Sequence, residues 1–142
     1  MGGRRNDFNW GSNANVANQR ILLLNVFLIT KDSHYLNAAM GNLEYVNGRN
    51  ATGYSFIKGI GTYSPRHPHH GPSVADGIKD PVPGLTAGGP NPGEQDHCHY
   101  RFHELETAYL DSDCVYASNE IAINWNAPLV YLSNALEALE SR

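Results

Sequence analysis

The apolar residues of this chain fall into blocks separated by a long polar stretch. Ile21, Leu22, Leu23, Leu24, Val26, Phe27, Leu28 and Ile29 make the densest block, broken only by Asn25. The block is far too short to span a bilayer. It is apolar almost all round at a helical pitch, which predicts a helix over 15–30 buried on more than one side. Residues 1–13 ahead of it are rich in Gly and Asn and read as a loop. Lys31-Asp32-Ser33 breaks the pattern, and Asp32 or Ser33 caps a second helix. That helix keeps Tyr35, Leu36, Ala39, Met40 and Leu43 at helical spacing and runs to Val46, before Asn47-Gly48 ends it. A last helix is expected from Ala127 to Glu140. Asn126 serves as its N-cap, Pro128 fits its first turn, and Leu129, Leu132, Leu136 and Leu139 form its buried face.

Residues 48–108 show no sustained period. They hold most of the glycines, seven of the eight prolines and six of the seven histidines. A structureless stretch of this length in a compact domain is usually functional. Residues 109–126 are mixed in character. Three helices with this much loop make a poor independent core, and the first helix needs partners that the chain hardly supplies. Both features imply a piece of a larger helical protein.

Composition narrows the function classes. A chain of 142 residues with 41% hydrophobic content suits one small domain or part of a larger one, and excludes global disorder. A net charge of −4, with no basic run and no zinc-finger spacing, excludes a nucleic-acid partner but suits an uncharged polymer. Met1-Gly-Gly-Arg-Arg is not followed by the apolar stretch of a signal peptide. Cys98 and Cys114 are too few for a disulfide framework, and a bridge between them stays open.

Two segments carry the chemistry. The first runs from Tyr54 to His70. Gly59 and Gly61 permit tight turns, while Pro65 and Pro68 stiffen the loop that presents His67, His69 and His70. A stiff loop of imidazoles suits orientation of a polar ligand, because less entropy is lost on binding. The second runs from Tyr109 to Ala127 and gathers Asp111, Asp113, Tyr116, Glu120 and Trp125 with several Asn. Aromatic rings pack on the apolar faces of sugars, and amides and carboxylates bond the hydroxyls. An apolar neighbourhood can keep a carboxyl protonated for donation.

At these residues the chain resembles glycoside hydrolase family 9, the cellulase-type enzymes. Tyr109, Asp111, Tyr116, Glu120, Ala122, Asn126 and Ala127 meet every spacing of one family signature. His69 falls at the histidine of the other. Trp10-Gly-Ser-Asn, Gly48-Arg-Asn-Ala-Thr-Gly-Tyr, Ala75-Asp-Gly-Ile-Lys-Asp-Pro and Gly88-Gly-Pro-Asn-Pro-Gly are also similar to family sequence. The resemblance implies an all-α fold, a partial (α/α)6 barrel of three to four helices plus the long Gly/Pro/His-rich loop. Residues 1–142 would form the C-terminal part of the catalytic domain.

It further implies inverting hydrolysis of β-1,4-glucosidic bonds in cellulose or related β-glucans, without a cofactor. Glu120 resembles the general acid, and Asp111 the signature Asp that holds the site in shape. His69 resembles the residue that bonds sugar hydroxyls. His70, Tyr116 and Trp125 complete the expected sugar contacts. The general base lies in an Asp-Ala-Gly-Asp motif that this chain lacks, so the chain alone is expected to be inactive and to need the N-terminal part of the barrel. The resemblance also implies a secreted enzyme. It departs at Gly71, where the signature carries an Arg that bonds sugar hydroxyls; Arg66 is the nearest Arg in sequence.

Two rival readings remain. His67, His69, His70, His97, Cys98, His99 and His103 are rich enough in ligand types for a metal-binding module, although their spacing matches no known finger. A non-catalytic glucan-binding remnant is the other. Apart from the pattern around them, Glu120 reads as a surface carboxylate at a helix start and His69 as a structural loop histidine.

Overall fold

The computed structural model of the chain describes residues 5–140. After a 3-10 turn at Arg5–Asp7 come α1 (Ser12–Thr30), α2 (Ser33–Val46), α3 (Gly71–Ala75) and α4 (Ile123–Glu140). The described residues are helical with loops and contain only isolated bridges, no strands. None of their helices is long and apolar enough to cross a membrane. α1 packs against both α2 and α4. Leu24, Leu132 and Leu136 form the centre of this packing, with Phe27, Leu36, Met40 and Leu139 around them. A second cluster joins helix to loop through Val46, Phe56, Ile57, Ala87, Tyr109 and Leu129.

The second helix has the bounds expected of it. Asp32 accepts the backbone N–H of His34 at 2.9 Å and so caps it. The other two long helices begin earlier than the apolar pattern predicts. α1 starts at Ser12, inside the expected loop, with Gly11 at φ +84° in the capping position. A side chain at Gly11 would collide with the Trp125 indole, which lies 2.6 Å from where a Cβ would sit. No side chain caps this end; instead the Asn13 N–H donates to the carbonyl of Gly88 at 2.9 Å. α4 starts four residues early, so Asn126 lies within the helix and is not its N-cap. Its amide bonds both ways with the backbone of Thr86: Thr86 N–H donates to Oδ1 at 2.7 Å, and Nδ2 donates to the Thr86 carbonyl at 3.3 Å. Pro128 accordingly falls in the second turn, not the first. The helix tolerates it because the carbonyl that a residue at 128 would normally satisfy belongs to the exposed Asn124.

The expectation that α1 is buried on more than one side is not met within this chain. Its buried positions are Ser12, Asn13, Ala14, Ala17, Arg20 and Leu24. Leu22 is 65% exposed and Ile29 82% exposed. Among the described residues α2 and α4 are the long helices that pack on it. Arg20 is the anomaly on the buried face. Its Nε and Nη1 have no partner, and burial lowers its pKa to about 9.

The long loop is not structureless. Ala87 N–H donates to Phe56 O at 2.9 Å, and Lys58 N–H to Leu85 O at 2.9 Å, so its two limbs lie together. Cys98 and Cys114 form a disulfide with a Cα–Cα distance of 6.2 Å, which resolves the question left open by sequence. Asp96 reinforces the same lobe by accepting Tyr100 Oη and Ala117 N–H, both at 2.9 Å. Closing a loop of 16 residues stabilises mainly by restricting the unfolded chain. Replacing both cysteines by Ser should therefore cost about 3 kcal/mol. Thermal unfolding of the double variant against the oxidised parent measures it.

Candidate active site

Glu120 sits where two loop segments meet. The His69 N–H donates to Asn119 O at 3.0 Å, and Ile121 N–H returns to His69 O at 3.3 Å. On the other edge, Gly88 N–H donates to Glu120 O at 3.0 Å and Gly89 N–H to Ser118 O at 2.9 Å. The backbone around Glu120 is thus held from both sides. Gly89 is required for this approach: it has φ +95°, and a Cβ there would come within 2.5 Å of the Asn13 side chain.

The Glu120 side chain is half-buried, and its Oε2 accepts the indole N–H of Trp10 at 2.9 Å. The Trp10 ring lies 5.4 Å from the Tyr116 ring, and Tyr116 lies 5.9 Å from the His69 ring. Tyr116 Oη donates to the carbonyl of Gln95 at 2.9 Å, which fixes the ring. One carboxyl and a row of two aromatics and an imidazole therefore share one exposed corner. Such a row suits a sugar, whose C–H faces stack on rings while its hydroxyls seek polar atoms.

Asp111 is a different kind of residue. Its carboxylate accepts the backbone N–H groups of Arg66 and His67, each at 2.8 Å, and Asn119 Nδ2 at 3.1 Å. It ties the histidine loop to the Glu120 segment. Asn119 completes the tie from a fully buried position, donating to His67 O and accepting Tyr109 Oη at 2.8 Å. Burial, and next the Asp111 charge, push the Tyr109 phenol well above its usual pKa, so it stays a neutral donor. Asp113 pairs with His67 Nδ1 at 2.8 Å in an exposed position.

His70 and Trp125 stand apart from the aromatic row. His70 Nδ1 bonds Ser73 Oγ at 2.8 Å, and its side chain lines an apolar cavity of about 600 Å³ with Ile121, Asn126, Val130 and Tyr131. Trp125 is half-buried and packs on the backbone of Gly11 and Gly88, beneath the segments that flank Glu120. Arg66 is committed to Asp80, so its guanidinium is not free to replace the Arg absent at position 71. The metal reading loses a ligand, because Cys98 is oxidised. His67 and His103 pair singly with Asp113 and Glu94. Among the described residues no group of three or more His, Cys, Asp or Glu converges on a common point.

Sequence reasoning missed Trp10 and Asn119 as site residues. Trp10 lay in a stretch similar to the family, but 110 residues separate it from Glu120. Asn119 adjoins Glu120, yet nothing in a sequence distinguishes a buried tie from any other Asn.

Two substitutions test this framework. Asp111→Ala should cost about 1–3 kcal/mol, since it removes a charged acceptor from three donors. It should also raise amide hydrogen exchange at Arg66 and His67 above that at Gly88. Behind the site, Lys58 is 1% exposed with no partner for Nζ. Burial lowers its pKa from 10.5 to about 8, against a smaller opposing pull from Asp111. The unfolded chain therefore binds more protons between those values, and stability rises with pH from about 8 to 10.5. Lys58→Met should raise the Tm at pH 7 and flatten that rise in a pH series of melting curves.

Comparison with known proteins identifies the family and the fold. The model of the family "Glycosyl hydrolase family 9" matches residues 1–133. The xyloglucan-specific endo-beta-1,4-glucanase BoGH9A of Bacteroides ovatus is 48% identical over 134 residues, covering 94% of this chain and 23% of that protein. Endoglucanase D of Acetivibrio thermocellus is 38% identical over 122 residues, covering 86% and 18%. Among solved structures, a Bacteroides ovatus family 9 enzyme superposes with a TM-score of 0.87 at 44% identity, over 98% of this chain and 24% of that one. AaCel9A bound to cellobiose-like isofagomine gives 0.85 at 34%, over 97% and 26%. The chain thus spans about a quarter or less of the length of these relatives. Its all-α arrangement is that of part of their fold, and the chain belongs to glycosyl hydrolase family 9.

Proposed function

We propose that this chain provides the acid half of a glucan-hydrolysing site, with Glu120 as the general acid that protonates the leaving glycosidic oxygen. The observation that carries this reading is the position of the Glu120 carboxyl beside the row of Trp10, Tyr116 and His69. The rings stack on sugar faces, and His69 bonds a hydroxyl. Asp111 and Asn119 hold the loops in register. Trp125 supports the site from below, and His70 fixes the start of α3.

Inversion requires a second carboxylate about 6.5–9.5 Å from the first, with water between them. Asp111 does not serve, since both its oxygens are taken by the histidine loop, and Asp113 pairs through one oxygen with His67. The base belongs to the portion of the family's enzymes that this chain does not span. The helices of that portion also cover the apolar side chains left bare here, Leu22, Leu28 and Ile29 on α1 with Ile123 and Val130 on α4. The chain corresponds on this view to a C-terminal part of the (α/α)6 catalytic domain and is inactive by itself.

The substrate we propose is a β-1,4-glucan with branches. One relative is named as xyloglucan-specific. At Gly71, where the family signature places Arg, a Cβ would meet nothing within 4 Å, so the surface is open to a substituent. The Cys98–Cys114 disulfide supports action in an oxidising compartment, outside the cytosol.

The test is a chimaera in which this chain replaces the matching portion of the Bacteroides ovatus relative. Hydrolysis of xyloglucan should be restored, and Glu120→Gln should lower kcat by about 10²–10⁴. The isolated chain should release no reducing sugar. Glu120-dependent turnover by the isolated chain would refute the need for a second carboxylate. An active chimaera indifferent to Glu120→Gln would remove the acid assignment.

A further inference from the structure

A carboxylic acid that donates a proton has two oxygens, and only one of them should hold it. Glu120 Oε2 is occupied by the Trp10 indole at 2.9 Å, while Oε1 takes no hydrogen bond from any described residue. An indole N–H is a donor only, so it never accepts the acid's proton. It therefore favours Oε2 as the carbonyl-type acceptor and leaves the hydrogen on Oε1.

We infer that Trp10 is a positioning residue that fixes which oxygen of Glu120 carries the proton and holds that oxygen towards the sugar. The inference rests on the acid role proposed above. In the reaction, the proton passes from Oε1 to the glycosidic oxygen as the bond from that oxygen to the anomeric carbon breaks. The bonding pair of that C–O bond goes to the departing oxygen, and the O–H pair stays on Oε1. Water bonds to the anomeric carbon from the opposite face and gives its proton to the base. Glu120 ends as a carboxylate, and the indole contact becomes charge-assisted and stronger. The contact thus favours the state that follows proton transfer. The Tyr116 ring, 5.4 Å away, keeps the indole from swinging off.

The chain has two tryptophans, so its proton–nitrogen correlation spectrum contains two indole signals. The Trp10 signal should move downfield in a single step as the Glu120 carboxyl ionises with rising pH. The step should be absent in Glu120→Gln. His69 also faces this region through Tyr116, and a step that it caused would survive in Glu120→Gln. A surviving step, or a flat Trp10 signal, overturns the inference. Trp10→Phe identifies the signal by deleting it while the Trp125 signal keeps its position. Should that variant fail to fold, the Glu120→Gln comparison carries the test by itself. In the chimaera, Trp10→Phe keeps a ring but loses the N–H. It should lower kcat about tenfold or more with KM little changed; a raised KM at unchanged kcat would mean that Trp10 only stacks on sugar. The spectra need no turnover, so an inactive chimaera would count against the acid role and leave the indole contact to be judged separately.

Discussion

The segment from Ser118 to Ile121 is hydrogen-bonded along both edges, to the histidine loop on one side and to Gly88 and Gly89 on the other. Nearly every other feature follows from this clamp. It explains why Gly89 has no side chain, since the Asn13 amide occupies that space. It explains why α1 is capped by a loop carbonyl instead of its own side chain: the same Gly88 that bonds Glu120 also receives Asn13. Trp10, one residue ahead of the α1 cap, is thereby delivered to the Glu120 carboxyl. A functional side chain is seldom accurate unless its backbone is fixed first. Here the fixing is done by main-chain bonds, which no substitution of side chains removes directly.

The helices and the family were the legible part of the sequence. α2 followed from a capping Asp and a regular apolar spacing, both local signals. The family followed from a signature of fixed spacing around Glu120. What escaped reading was long-range. α4 begins at Ile123 because Asn126 turns inward to Thr86, forty residues away, and no local rule separates that from capping. The run Ile21–Ile29 correctly announced a helix that wants apolar neighbours. The same run also signalled that this chain supplies too few of them, and Leu22 and Ile29 are indeed left exposed. The Cys98–Cys114 bond was equally beyond reach, since two cysteines have a single pairing but no obligation to use it. Trp10 remained invisible as a chemical group because its partner comes so much later in the chain.

Among the described residues, Arg20 and Lys58 are buried with unbonded nitrogens, and burial weakens the protonated form of each. Buried charges of this kind usually cost stability that a hydrophobic side chain of similar size would not. Lys58 directly follows the core residues Phe56 and Ile57 and feels the charge of Asp111. A chain whose core tolerates this is held by its packing of α1 on α2 and α4 and by its loop ties, and has little to spare. Stability and site geometry therefore draw on the same contacts around residues 109–121.

The covalent bridge between Cys98 and Cys114 leads to a different conclusion about the lobe that carries Tyr116. Its shape is set by a closed ring of chain and by the Asp96 contacts, with only a small apolar centre of Cys98, Tyr100 and Val115. A lobe fixed in that manner has few neighbours whose volumes it must match. Changes among its outward residues leave untouched the main-chain bonds that hold Glu120.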